Sequence, residues 1–220
     1  MKNTLAIPEF DTVLRRLFAA ADKDAELARP ALPAGRSSWD EATATELADA
    51  SEDRYMPVSA DGGKLLYSLV RAARPQTVVE FGTSYGISTL HLAAAVTDNG
   101  TGHVYTTELS GKKAAAARAS LDEAGVGNVV TILKGDALQT LADVPGPVGV
   151  ALLDGWKDLC LPVLRLLEPK LAPGAVIAGD DSTFPSMAPY VKYVRDPGNG
   201  YVSVSFPVED GMEISTWTGR

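Results

Sequence analysis

Five short runs rich in β-branched and apolar residues recur along the chain, at Thr77–Phe81, His103–Thr107, Val129–Leu133, Val148–Leu153 and Ala175–Ala178. Helical stretches separate them: Gly86–Val96, Lys112–Ala124 with Ser110 as a cap, Ala137–Leu141 and Pro162–Leu167. Runs that stay apolar without strict alternation are the pattern of strands buried on both faces. Strand and helix in alternation predict a parallel sheet with right-handed crossovers and helices on both faces. Two further runs, Tyr201–Ser205 and Glu213–Trp217, alternate apolar with polar across the turn-rich Pro207–Gly211. They read as a terminal antiparallel hairpin. The expected fold is α/β, a mostly parallel seven-stranded sheet closed by that hairpin.

The part before about Arg54 reads as helices and loops. Phe10, Val13, Leu14, Leu17 and Phe18 give Glu9–Ala21 helical spacing. Pro30, Pro33 and Gly35 then break the chain, and a polar helix is expected around Asp40–Ala50. Ser59 reads as the N-cap of a helix carrying Leu65, Leu66, Leu69 and Val70, stopped before Pro75.

A chain of 220 residues suits one α/β domain, and 45% hydrophobic with 22% charged residues is an ordinary globular composition. The net charge is −8 and no basic patch is present, which argues against nucleic acid as a partner. One cysteine, Cys160, permits no internal disulfide, and no Cys/His spacing suggests zinc. The first residues, MKNTLAIPEF, lack an apolar leader, and no apolar run approaches membrane-spanning length. The expectation is a soluble, cytoplasmic protein without membrane partners.

The position of the acids is more informative. Glu80 sits at the end of the first predicted strand, and Glu108 and Asp136 follow the second and third. Asp154 closes the fourth, and Asp180 and Asp181 follow the fifth. Ligands of open α/β sheets bind outside the carboxyl ends of the strands. A row of acids there points to a ligand with hydroxyls and positive charge, to a metal ion, or to both.

The first strand runs into Glu80-Phe81-Gly82-Thr83-Ser84-Tyr85-Gly86. Glycines in such a turn let the backbone approach a ligand and let the next helix pack closely, which is also an ordinary structural use. Glu108 lies 22 positions after Gly86 (108 − 86), a spacing that suits an acid accepting from ribose hydroxyls. Thr83-Ser84 stand where a dinucleotide fingerprint has its second glycine. An acid just before the first glycine repels a pyrophosphate but faces a cationic amino-acid group comfortably. This favours S-adenosylmethionine over NAD.

The run VVEFGTSYGISTLHLA, with MPVSADGGKLL before it and LLDGWKD after it, resembles the catechol and caffeoyl-CoA O-methyltransferases, a class I S-adenosylmethionine-dependent family. The likeness covers roughly Met56 to the end, including SFPVEDGMEIS. It implies a Rossmann-like methyltransferase fold, with residues 56–220 as the cofactor-binding core and 1–55 as a helical cap on the substrate side of one domain. By the same likeness Val58, Glu80, Gly82, Thr83 and Ser88 line the amino-acid and sulfonium region of the cofactor, with Gly86 in the same turn. Met56 lies at the floor of the substrate and methyl-donor site, Glu108 holds the ribose, and Asp136-Ala137 flank the adenine. Asp154, Asp180 and Asp181 match three ligands of a divalent cation such as Mg²⁺, and Asp154 also borders the cofactor. Lys157 matches the general base. The family usually has asparagine where Asp181 stands. Similar proteins are often homodimers through their N-terminal helices.

This chemistry is coherent. Methyl transfer from a sulfonium needs alignment of nucleophile, carbon and sulfur. A hydroxyl must also lose its proton, which a bound cation assists by stabilising the oxyanion. Three carboxylates supply hard oxygen ligands suited to Mg²⁺, and a neighbouring dication lowers a lysine's pKa toward that of a base. Pro162 places a helix start nearby and leaves Gly155-Trp156-Lys157 on a loop. The expected partner is a small hydroxylated substrate of catechol-like type, with Trp156 stacking on it beside Met56 and Lys157.

Each signal has a plainer alternative. The aspartates also serve as turn formers or caps, and Lys157 as a solvated lysine at a helix entry. Trp39, Tyr55, Phe184, Tyr190 and Trp217 read as packing or pocket wall. His91 and His103 read as structural, Cys160 lacks a histidine partner, and the Glu209-Asp210 turn reads as solvated. Competing functions are a metal-independent or N-directed methyltransferase, an NAD-binding oxidoreductase and a non-catalytic cofactor-binding module. The turn after the first strand argues against the NAD reading. The chain also has Leu153-Asp154-Gly155-Trp156 where nucleobase N-methylating enzymes carry an Asn/Asp-Pro-Pro-Tyr element.

Overall fold

The computed structural model describes residues 3–28, 30–38 and 41–219. Helix α1 (Pro8–Ala21) opens with proline in its first turn and buries Phe10, Val13 and Leu17. Helix α2 (Ala44–Ala50) begins later than its sequence suggests. Thr43 and Glu46 form a reciprocal capping box there, which sets the start. Trp39 and Asp40 lie outside the described residues. Helix α3 (Ala60–Ala73) starts at Ser59, whose hydroxyl accepts from Gly62 N–H.

Strands and helices then alternate: β1 (Thr77–Phe81), α4 (Ile87–Asn99), β2 (His103–Glu108), α5 (Gly111–Glu123), β3 (Val130–Lys134), α6 (Ala137–Thr140), β4 (Val148–Leu153), α7 (Cys160–Leu167) and β5 (Leu171–Gly179). Helix α8 (Ala188–Arg195) leads to β6 (Tyr201–Phe206) and β7 (Met212–Trp217). All seven strands form one sheet in the order β3-β2-β1-β4-β5-β7-β6. The first five are parallel, and β7 runs antiparallel to both β5 and β6.

The central strands show why alternation was absent from the sequence. Val78, Val150 and Leu152 face a core shared with α1, α3 and α4. Val79, Phe81, Ala151 and Leu153 face the opposite core, with α7 and α8. Both faces are therefore covered, as parallel sheets require. The order reverses between β1 and β4, so the carboxyl ends of these two strands open a crevice. Among the described residues, no helix is long and apolar enough to cross a membrane.

Candidate active site

A cavity of about 340 Å³ lies in that crevice. Its wall includes Gly82 and Thr83 from the β1–α4 turn, Ser88 from the first turn of α4, Glu108 from β2, Asp136 and Ala137 after β3, Asp154 and Trp156 after β4, and Met56 and Val58 before α3. Ten of the residues singled out in the sequence thus share one cavity.

Two residues expected at the cofactor do not line it. Gly86 is the N-cap of α4 at φ 90°, and a Cβ there would lie 3.2 Å from Ala117 Cβ, so it permits helix packing. Glu80 is fully buried. It shares the β1 face of Val78, toward α4, and accepts from the Thr89 and Thr106 hydroxyls at 2.5 Å each. Among the described residues its Oε1 has no hydrogen-bond partner. Burial pushes this carboxyl up to about 7.

Glu108 is held rigidly. Its two oxygens accept from Ser84 N–H and Ser110 N–H at 2.8 Å each, and Ser84 sits at φ 46°. Asp136 caps α6 through Leu138 N–H at 2.9 Å. Gly82, at φ 105°, approaches the next strand so closely that a Cβ would lie 2.8 Å from the Asp154 carbonyl oxygen.

The segment before α3 is strapped over this cavity. Asp24 Oδ2 accepts from Tyr55 N–H at 2.6 Å and Met56 N–H at 3.0 Å. Ser84 donates to the Tyr55 carbonyl at 2.6 Å, and Tyr85 OH to the Glu52 carbonyl at 2.7 Å. The Tyr55 and Tyr85 rings stack with centroids 4.1 Å apart. A second, apolar cavity of about 230 Å³ adjoins, lined by Leu47, Ala50 and Pro30 and sharing Met56 and Trp156 with the first.

Beside Trp156 stand the remaining aspartates. One carboxylate oxygen each from Asp154, Asp180 and Asp181 lies within 4.8 Å of the others. Asp154 N–H bonds the Phe81 carbonyl and Asp180 N–H the Leu153 carbonyl, so the ladder of adjacent strands sets their spacing. Asp181 occupies the left-handed region at φ 53°, which asparagine and aspartate tolerate better than other side chains. Either residue type therefore suits this backbone.

Asp180 is 4% exposed, and its Oδ1 has no partner. Burial, reinforced by Asp154 and Asp181, pushes its carboxyl up to about 8. Burial likewise raises Asp154, although Lys157 opposes the shift. Two carboxyls that burial raises, one of them with an orphaned oxygen, beside a third carboxylate are chemically suited to a hard divalent cation.

Lys157 is the first residue of a 3-10 turn running into α7, which begins at Cys160, before Pro162. The helix starts close to Pro162 as expected and Gly155-Trp156 lie on the loop, but Lys157 opens the 3-10 turn instead of lying on it. Lys157 Nζ lies 2.8 Å from Asp154 Oδ1 and 2.8 Å from Asp181 Oδ2. Burial works against its charge, but the two carboxylates outweigh burial and raise its pKa. As arranged here, the ammonium keeps its proton.

Glu209 is an exposed turn residue, as expected, and it also accepts from Ser59 N–H at the start of α3. Its neighbours tie the hairpin turn to the loop after β5, through Ser182 N–H to Gly211 O and Thr183 N–H to Asp210 O. Lys113 and Tyr85 also line the cavity and were not singled out in the sequence. Phe184 is 40% exposed and Tyr190 is buried. Neither lines either cavity.

Residues 79–182 match a family described as a methyltransferase domain. That match covers β1 to the loop after β5, the stretch that carries most of the cavity wall. The chain is 29% identical to catechol O-methyltransferase B of Danio rerio over 74% of its length and 66% of that protein's. It is 36% identical to a catechol O-methyltransferase of Mycobacterium tuberculosis over 64% of its length and 63% of that protein's. The chain thus spans just under two thirds of each of these relatives. In structure, the chain superposes on an O-methyltransferase from Bacillus cereus in complex with SAH. That likeness has a TM-score of 0.69 at 21% identity and covers 97% of this chain and 93% of the other. It bears out the Rossmann-like fold expected from the sequence.

Proposed function

We propose that the protein transfers a methyl group from S-adenosylmethionine to a hydroxyl of a small, catechol-like acceptor, with a divalent cation held by Asp154, Asp180 and Asp181. The observation that carries this reading is the continuity of the site. One cavity runs from the Glu108 and Asp136 strand ends to Asp154 and Trp156, where the aspartate cluster and Lys157 begin.

The roles follow from position. Glu108 accepts from the ribose hydroxyls, and Asp136 with Ala137 borders the adenine. Gly82, Thr83, Ser88 and Val58 enclose the amino-acid end. Trp156 and Met56, shared between the two cavities, flank the acceptor and align its oxygen with the methyl carbon. A cation on the three carboxylates supplies the charge that stabilises an acceptor oxyanion. With a cation taking over its carboxylates, Lys157 would lose its own proton to solvent and, as a neutral amine, accept the hydroxyl proton. Relatives named catechol O-methyltransferases support this assignment of reaction, and the three-aspartate cluster supports the metal.

A second reading draws on the Lys157 ion pairs. An ammonium bridging two of the three carboxylates already supplies positive charge, so transfer without metal is the alternative. One assay separates them: methyl transfer from S-adenosylmethionine to a catechol panel, with Mg²⁺ and with EDTA. Loss of turnover in EDTA supports the metal-assisted reading. Full turnover in EDTA favours the second, and absence of S-adenosylhomocysteine binding by calorimetry overturns both.

A further inference from the structure

One charged side chain in the cavity has no role in the scheme above. Lys113, the third residue of α5, is 4% exposed and lines the larger cavity with Glu108, Ser84 and Tyr85. Among the described residues its ammonium makes no hydrogen bond or ion pair, and lies 5.8 Å from the centroid of the Tyr85 ring. The acids that face it, Glu108 and Asp24, are already engaged: Glu108 by Ser84 and Ser110 N–H, Asp24 by Tyr55 and Met56 N–H. The adjacent Lys112 differs, with a half-exposed side chain paired to Asp53 and Glu52.

The residue is buried, yet its ammonium opens onto the cavity, where its three donors meet no protein acceptor among the described residues. The Tyr85 ring beside the ammonium is stacked on Tyr55 and anchored through its hydroxyl to the Glu52 carbonyl.

We propose that Lys113 donates to the ribose hydroxyl oxygens of the methyl donor and completes, with Glu108, the recognition of its diol. This rests on the cofactor reading above. A hydroxyl both donates and accepts. A carboxylate satisfies only its O–H, which leaves the oxygen lone pairs needing a donor. Glu108 and Lys113 on one wall supply both halves, and a nucleoside lacking the hydroxyl strands the buried charge.

The test is calorimetry with S-adenosylhomocysteine and its 2′-deoxy and 3′-deoxy analogues, on wild type and Lys113→Met, with thermal melting of both unliganded proteins. Lys113→Met is expected to bind S-adenosylhomocysteine at least tenfold more weakly. It should lose most of the wild-type preference over at least one deoxy analogue, and melt no lower than wild type. Equal affinity of the two proteins overturns the proposal, as does a loss equal for all three ligands. A variant that melts well below wild type makes Lys113 structural and also overturns it. Wild type failing to bind S-adenosylhomocysteine overturns the cofactor reading itself, whereas wild-type binding with an unaffected variant overturns this proposal alone.

Discussion

Gly82 and Asp154 are in backbone contact: a Cβ on the glycine would lie 2.8 Å from the aspartate's carbonyl oxygen. The cofactor turn and the first acid of the cluster are therefore one rigid unit, reinforced by the Asp154 N–H to Phe81 O bond of 2.9 Å. Gly82→Ala is doubly penalised, by that clash and by φ 105°. It is expected to destabilise the protein by about 2 kcal/mol or more and to abolish detectable S-adenosylhomocysteine binding. Calorimetry showing wild-type affinity would separate the two elements.

Lys157 offers a sharper kinetic test. Lys157→Met keeps the stem's bulk and removes the proton acceptor. Turnover should fall about 10²- to 10⁴-fold, with S-adenosylhomocysteine affinity unchanged within about twofold, since Lys157 lines neither cavity. Wild-type turnover in this variant would remove Lys157 from the chemistry.

The aspartate cluster predicts stabilisation by metal. Mg²⁺ at about a hundred times its Kd adds about 2.7 kcal/mol, a rise of roughly 5–10 °C for a chain of this size. Asp180→Asn, which neutralises the buried acid with the orphaned oxygen, should erase that rise in a melting experiment. An equal rise in both proteins would place the ion elsewhere.

Glu80 makes stability depend on pH. Burial holds its carboxyl near about 7, whereas an unfolded chain has it near about 4.3. At pH 4 both states are protonated and stability is undiminished. As pH rises from about 4.3 to 7 the unfolded chain ionises first, and stability falls by up to about 4 kcal/mol. Glu80→Gln should therefore melt with wild type at pH 4 and above it at pH 8. Parallel melting curves at every pH would mean that Glu80 is ionised in the fold.

Much of this was legible in the chain. Thr77–Phe81 and Val148–Leu153 are strands at the expected bounds because both faces are buried and the apolar run has sharp ends. Strand β5 begins earlier than Ala175 because Pro173-Gly174 disguise a stretch that pairs irregularly with β4. Helix α8 has no counterpart in the sequence reading, since Pro189 looks like a breaker and in fact occupies the first turn. For the site, strand-end position brings the three aspartates together, whereas Glu80 lies buried on the face of Val78. Period-two geometry was the available signal, for Glu80 shares a face with Val78 and not with Phe81. Lys113 gave no signal, because burial of one lysine in Gly111-Lys112-Lys113 depends on Tyr85 and a distant strap.

The sheet order has a consequence for synthesis. The outer neighbour of β5 is β7, with Gly179 opposite Glu213. While the nascent chain lacks residues 212–217, β5 is an open edge, able to pair with another chain. The loop carrying Asp180 and Asp181 also lacks its anchors from Asp210 and Gly211 until then. A ribosome-bound chain can thus complete its nucleoside half while its aspartate centre stays unassembled, so co-translational maturation runs from the Glu108 side toward the Asp181 side.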